Sequence, residues 1–251
     1  MTSLTLLFSC SDDKESHLAT PESLENYGTW NEIGQLHNEG LEDFYDRLVE
    51  SDIEINESTT DQVFEILDDL IDDYYPTIQE GLNPPHYPIS KETHDMILSI
   101  HTNEEIKLLD DPNSEFLYTT IEEMGADNEL IENVRLLMNI YDNTENWESY
   151  ELMETALDNF KEELSGKGEW NNVLDDGYNI AKATFYYWFN EGAKWNNEFA
   201  SDRAEVRDFI GNGRADIGGG IVGAIIGDGP GAIANAMRST AVSIIWDLCC
   251  N

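Results

Sequence analysis

The stretch LDDGYNIAKATFYYWFNEGAKWNNEF (residues 174–199) decides the fold class. Its apolar residues recur at alternating steps of four and three, which is the spacing of one face of an α-helix. At 1.5 Å per residue this apolar seam runs along a helix of roughly 39 Å. The seam positions are Leu174, Tyr178, Ala181, Phe185, Trp188, Gly192, Trp195 and Phe199. An aromatic stripe is either a ligand platform or a core face, and we expect core because buried rings dominate interior energetics.

Similar apolar periods recur along most of the chain, and the alternating pattern of a strand is almost absent. The clearest lies between a capping-box start at Ser58 and Asp61 and a stop at Gly81. Further helices are expected in five segments, at about 33–48, 90–110, 114–124, 128–142 and 150–164. We therefore predict an all-α fold, a multi-helix bundle that ends in a glycine-rich helical hairpin.

The charge of the chain excludes several classes of partner. Its 251 residues include 13 Lys+Arg and 52 Asp+Glu, which gives a net charge of −39. Such a surface repels polyanions, so we expect no nucleic-acid partner and little direct adsorption to anionic lipid. No basic residue occurs between Arg47 and Lys91, and the acidic run there is expected to be a solvated helix face rather than a cation-binding surface. A calcium loop starting at Asp111 is rejected because Phe116 stands where the turn glycine is needed.

The N-terminus contains a short motif around Cys10. The box LFSC (residues 7–10) is followed by the polar stretch SDDKE (residues 11–15). It resembles the bacterial lipoprotein signal, and the acidic residues after it resemble the export signal of surface-exposed lipoproteins in Bacteroidetes-type bacteria. The resemblance implies that residues 1–9 are removed and that a lipid on Cys10 attaches the protein to a membrane, while the acidic body stays in water.

The start of this motif departs from a complete signal peptide. It has no positive charge, and its apolar run is shorter than seven residues. We therefore expect residues 1–20 to be a truncated lipoprotein signal and a flexible tether, with the true start codon upstream. The alternative is an ordinary cytosolic N-terminus with a chance cysteine.

His37 and Asn38 form a candidate buried polar site. His37 shares a helix face with apolar residues, so its ring should be buried and should need a hydrogen-bond partner. A satisfied core histidine is expected rather than a catalytic or ligand-binding one. His94 and His101 would lie roughly 10 Å apart on one helix, too far to share a metal ion. We predict no catalytic residue, no metal site and no cofactor, and thus a protein that is not an enzyme.

The C-terminal segment carries a glycine zipper, a stripe of four glycines at steps of four: Gly219, Gly223, Gly227 and Gly231. Such a stripe lets another backbone approach closely. The residues DGP (228–230) should interrupt the helix, so we predict two apolar arms. The first predicted arm, from Ala215 to Gly227, is about 20 Å long, which is short of the roughly 30 Å hydrocarbon core of a bilayer. The second predicted arm carries Arg238. We expect a hairpin buried against the apolar seam, with membrane insertion and homo-oligomerisation or a protein partner as alternatives.

Three short motifs are spread over most of the chain. They are Gly34, His37, Asn38, Gly40 and Leu41; then Tyr187, Trp188, Asn190, Lys194 and Trp195; and then Ala215 and Asp216 at the entry to the zipper. Together they resemble a group of uncharacterised Bacteroidetes-type surface lipoproteins with a glycine-zipper tail. The resemblance implies no known activity and supplies no catalytic residues.

These features predict a lipid-anchored, acidic helical protein of the outer membrane or cell surface with a binding or structural role. Its expected parts are the tether, an acidic helical domain over 21–210, and the zipper hairpin over 211–251, packed on that domain or extending it. The alternative is a secreted membrane-active protein, pore-forming or antibacterial, in which the zipper hairpin assembles in a target bilayer.

Overall fold

The computed structural model describes residues 32–55, 58–81, 103–109, 111–164, 170–199 and 207–250. These residues form eight α-helices and two 3-10 helices, and no strand occurs among them. The α-helices are α1 (Glu32–Ser51), α2 (Thr60–Gly81), α3 (Asn103–Ile106), α4 (Phe116–Glu123), α5 (Asn128–Asp142), α6 (Tyr150–Leu164), α7 (Asn171–Phe199) and α8 (Arg207–Cys250). The 3-10 helices are Lys107–Leu109 and Thr144–Glu148. The predicted all-α multi-helix fold is confirmed.

The predicted start of α5 agrees with the structure, and a side-chain cap marks it. Asp127 accepts a hydrogen bond from the amide of Leu130 at 2.9 Å, and α5 begins directly after it. Helix α2 begins at Thr60, two residues after the predicted cap at Ser58, and ends at Gly81 as expected. Of the segment predicted as a helix at 90–110, only 103–109 is described. Those residues form α3 followed by a 3-10 helix.

The centre of the fold is α8, which contacts α1, α2, α3, α4, α5 and α7. Residues 212–224 and 229–245 of α8 are buried. A helix that is covered on all sides needs small or apolar residues around its whole circumference, and the glycine, alanine and isoleucine content of α8 supplies them. The amphipathic helices therefore enclose the C-terminal helix.

Helix α8 is continuous but does not run straight. The predicted break at 228–230 is wrong, because one helix extends from Arg207 to Cys250 with Pro230 inside it. Ser243 nevertheless donates a hydrogen bond to Asn212 at 2.9 Å. In a straight helix these residues, 31 positions apart, would be separated by about 46 Å. The element must therefore bend sharply, and Pro230 supplies the physical reason because it lacks an amide donor and its ring clashes with the preceding turn.

The bend separates a first arm of α8, residues 207–226, from a second arm, residues 231–250. Asn235 in the second arm donates a hydrogen bond to the carbonyl oxygen of Gly219 in the first at 2.8 Å. At least two hydrogen bonds therefore join the two arms of α8.

The apolar seam of α7 lies in the core. Its positions from Leu174 to Trp195 are buried, and Phe199 is partly buried. The Trp188 ring stacks on Phe209 of the first arm, with centroids 5.7 Å apart. Side chains of the seam pack on both α1 and α8, which is the behaviour of a core face.

The acidic residues of α2 lie on the opposite side of that helix from its buried apolar positions. Val63, Leu67, Leu70 and Ile71 are buried. The acidic residues between and after them are exposed: Glu65, Asp68, Asp69, Asp72 and Asp73. This division is the solvated face that the charge run indicated.

Candidate functional site

Residues from all three sequence motifs meet in one buried cluster. His37 is on α1, Thr184 and Trp188 are on α7, and Asp216 is on α8. The side chains of His37 and Asp216 are both 0% exposed, and Thr184 and Trp188 are also buried. We call these four residues the polar cluster. It lies where α1, α7 and the first arm of α8 touch.

The carboxylate of Asp216 is the centre of the polar cluster. Its Oδ1 lies 3.0 Å from Nε2 of His37. Its Oδ2 accepts hydrogen bonds from the hydroxyl of Thr184 and from the indole Nε1 of Trp188, the latter at 3.3 Å. A buried carboxylate is costly unless donors surround it. Helix α7 supplies two donors to this one, and α1 supplies a ring nitrogen of His37.

The other ring nitrogen of His37 is also engaged. Its Nδ1 lies 3.0 Å from Oδ1 of Asn38. The amide Nδ2 of Asn38 in turn donates to the backbone carbonyl of Ala183 on α7, at 3.0 Å. Asn38 therefore extends the polar cluster into a chain of hydrogen bonds between α1 and the backbone of α7.

Close approach of α1 to α7 depends on Gly34. A methyl group placed on Gly34 would lie 2.7 Å from Cβ of Ala183 and 2.9 Å from the carbonyl oxygen of Asn179. Any larger side chain would push α1 away and lengthen the hydrogen bonds of Asn38 and His37. The glycine of the first motif thus has a packing role one turn before the polar cluster.

Tyr141 on α5 borders the cluster from a fourth helix. Burial raises the pKa of Tyr141 well above its usual value, and the charge of Asp216 acts in the same direction. The phenol is therefore neutral. It packs so tightly on Gly213 of α8 that a methyl group there would overlap the Tyr141 hydroxyl. Glycine at this position lets a bulky ring sit against the helix backbone.

A second polar contact between α1 and α7 lies beside the cluster. Lys194 forms an ion pair with Glu42, and its Nζ lies 4.4 Å from the ring centroid of Tyr45. Trp195 donates to the hydroxyl of Tyr187 at 3.0 Å. Burial, together with the charge of Glu42, raises the pKa of Tyr187 well above its usual value. Residues of the second motif therefore attach α7 to α1.

The first arm of α8 places polar side chains in the core, and sequence reasoning missed their partners. The buried Arg214 forms an ion pair with the partly exposed Asp142 of α5, and Asn212 accepts from Ser243 of the second arm. With Asp216, these residues connect the first arm to α5, to the second arm and to α1. Their position in an apolar, glycine-rich stretch could have indicated these contacts, because a charged or polar side chain buried there needs a hydrogen-bond or ion-pair partner.

The zipper glycines Gly219 and Gly223 pack against other residues of the same chain. A methyl group on Gly219 would lie 2.5 Å from the carbonyl oxygen of Asn235 and 2.7 Å from Cβ of Ser239. One on Gly223 would overlap the carbonyl oxygen of Gly231 and lie 2.9 Å from Cβ of Asn235. Gly227 is half-buried at the bend. The stripe thus lies between the two arms of α8.

Arg238, in the second arm, is a buried charge that faces α2. Burial lowers the pKa of Arg238, and the nearby carboxylate of Asp68 opposes that change. Asp68 is largely exposed on α2; the partial desolvation of its carboxyl group raises its pKa, and Arg238 lowers it. Attraction between the two groups across α2 and α8 keeps a cation tolerable in this arm.

Two groups of predicted positions lie elsewhere. Cys10, the lipidation candidate, and the histidines at 94 and 101 lie outside the described residues. Among the residues that are described, no helix is long and apolar enough to cross a membrane.

The fold and the polar cluster define an all-α protein built around an enclosed C-terminal helix. No family model matches the sequence, and searches of curated proteins and of solved structures give no significant match. Inferences about function therefore rest on the residues of this chain alone.

Proposed function

We propose that this chain is a lipid-anchored, acidic helical protein of the outer membrane or cell surface, with a structural or binding role. The observation that carries the proposal is the box LFSC at residues 7–10, followed by the polar, mostly acidic stretch SDDKE at residues 11–15. Acyl chains add roughly 0.8 kcal/mol per buried methylene, so two or three chains hold even an anionic protein at a bilayer.

The described part of the chain supports a role for the body in water rather than in lipid. The acidic residues of α2 are exposed, and the central helix is covered by the other helices. With a net charge of −39 the body is repelled by anionic headgroups. Attachment through a lipid separates the membrane contact from the acidic surface, which stays in water.

A catalytic role for His37 is not proposed. Its ring is fully buried and both ring nitrogens face hydrogen-bond acceptors. A general base must reach a proton of the substrate, directly or through one water. His37 instead joins α1 to α8.

Replacing Cys10 by alanine tests the lipid anchor. The gene is expressed from its own locus in a Bacteroidetes-type host, and the cells are fed a radiolabelled fatty acid. We expect label on the wild-type protein and its complete loss in Cys10→Ala. The matched control is Cys249→Ala, which removes a thiol far from the signal box and should keep the label. Absence of label on the wild type, or retention in Cys10→Ala, would contradict the proposal.

A second candidate is a membrane-active protein in which α8 leaves the core and assembles through its glycine stripe. The observation in its favour is that α8, a glycine-rich helix of 44 residues, is largely buried beneath the other helices. A membrane-active form would have to assemble from several copies, since no described helix has the length of apolar sequence that one span needs. Against it stand Arg214, Asp216 and Arg238, three charges that the helix would take into lipid.

Dye release from liposomes distinguishes this second candidate. Two variants loosen α8 in the folded protein, Gly223→Leu and Asp216→Ala, but only the first also destroys the glycine stripe. If the stripe assembles in bilayers, wild type and Asp216→Ala should release dye and Gly223→Leu should release none. If none of the three releases dye, or if both variants behave alike, the membrane-active proposal is wrong.

A further inference from the structure

The hydrogen bonds around His37 determine its charge. A neutral imidazole has one N–H donor and one bare acceptor nitrogen, whereas an imidazolium has two donors. Each ring nitrogen of His37 lies 3.0 Å from an oxygen: Nε2 from the carboxylate of Asp216, and Nδ1 from Oδ1 of Asn38. His37 is charged if each of these two oxygens accepts a hydrogen bond from the ring.

The surroundings of Asp216 favour its ionised form. Thr184 and Trp188 both donate to one carboxylate oxygen, and donors are what a buried negative charge requires. Tyr141, the titratable neighbour on α5, stays neutral because burial and the Asp216 charge both raise its pKa. In the ionised form Oδ1 has no proton, and Nε2 of His37 is the donor of this contact, whereas a proton on Asp216 would leave Nε2 as a bare acceptor.

The oxygen of Asn38 must accept as well. The orientation of its carboxamide is set by the bond from Nδ2 to the carbonyl oxygen of Ala183. A flipped amide would place two oxygens against each other, so Oδ1 has to face His37. Nδ1 is therefore a donor too.

We infer that His37 is an imidazolium in the folded chain, and that a buried, charge-neutral ion pair with Asp216 locks α1 onto α7 and α8. Loss of the Nδ1 proton would turn a lone pair towards Oδ1 of Asn38 in a buried place. Transfer of the Nε2 proton to Asp216 would instead give a neutral pair with one bare ring nitrogen. The lock holds the first motif to the third across 179 residues of sequence. It is independent of the lipid anchor and of membrane activity.

Nuclear magnetic resonance of the full chain, labelled with ¹⁵N-histidine, tests the charge directly. At pH 7.5 an unperturbed imidazole is mostly neutral. Long-range ¹H–¹⁵N correlation spectra distinguish a ring with two protonated nitrogens from a ring with one. We expect both nitrogens of His37 to be protonated, with the signal assigned in the wild-type spectrum and absent from His37→Gln. One bare nitrogen on His37 in the wild type would overturn the inference, whatever the variants do.

Asp216→Asn supplies the second arm of the test. An asparagine of the same shape removes the negative charge, so His37 should lose one of its two ring protons at the same pH. A His37 ring that stays doubly protonated in Asp216→Asn would show that the ion pair is not what holds the charge. If this variant does not fold, the wild-type spectrum alone decides.

Discussion

Asp216→Ala is expected to lower the free energy of unfolding by about 3–5 kcal/mol, the usual cost of removing one partner from a buried ion pair. Three donors lose their acceptor at once, those of His37, Thr184 and Trp188. None of them has water to turn to, because the side chains are buried. A domain of ordinary stability has about 5–15 kcal/mol in total, so this single change should remove a large part of it.

The matched control is Asp73→Ala. Asp73 also forms an ion pair, with Arg47, but its side chain is 71% exposed. Water replaces the lost partner of an exposed pair, and such pairs contribute little. Urea unfolding followed by far-ultraviolet circular dichroism should show a strongly lowered midpoint for Asp216→Ala and a nearly unchanged one for Asp73→Ala. Equal midpoints would mean that the polar cluster does not stabilise the fold.

Gly223→Ala is expected to destabilise the protein by about 1–3 kcal/mol, the range for overpacked interiors. The added methyl group would meet the backbone of Gly231, including the carbonyl carbon at 2.6 Å. Backbone cannot rotate away as the end of a side chain can, so the arms of α8 would have to separate. Separation would lengthen the nearby hydrogen bond from Asn235 to Gly219.

Gly218→Ala, in the same arm, is the control for this effect. Its methyl group would lie 3.3 Å from Cδ2 of Leu109 and 3.6 Å from Cε of Met138, both ends of flexible side chains. Alanine is also favoured over glycine in a helix interior by about 1 kcal/mol. We therefore expect thermal unfolding of Gly218→Ala at or slightly above the wild-type temperature. The interpretation of the arm contact fails if Gly223→Ala is equally stable.

Much of the fold could be predicted because its signals are local. The step of three and four in the seam of α7 reports on neighbours one turn away, and those positions are buried as expected. The same holds for α5, where Asp127 caps a periodic apolar segment. His37 was expected in the core for a related reason, because it shares a face with residues such as Phe44 that had to be inside.

Other features could not be predicted because they depend on residues distant in the chain. The motif around Asp216 was visible, but no local pattern connects it to a histidine 179 residues earlier. The glycine stripe predicted close packing without saying that Gly223 would face Gly231 rather than another molecule. The predicted break at 228–230 is wrong, because one helix runs from Arg207 to Cys250 with Pro230 inside it.

The helical character of the chain, its apolar faces and its solvated acidic surfaces all follow from the spacing of side chains along single helices. The central position of α8, and the meeting of four distant side chains in one site, become visible only in the folded chain: His37, Thr184, Trp188 and Asp216. The physical reason is that a buried charge is tolerated only where donors from several helices converge, and that convergence is a property of packing in three dimensions.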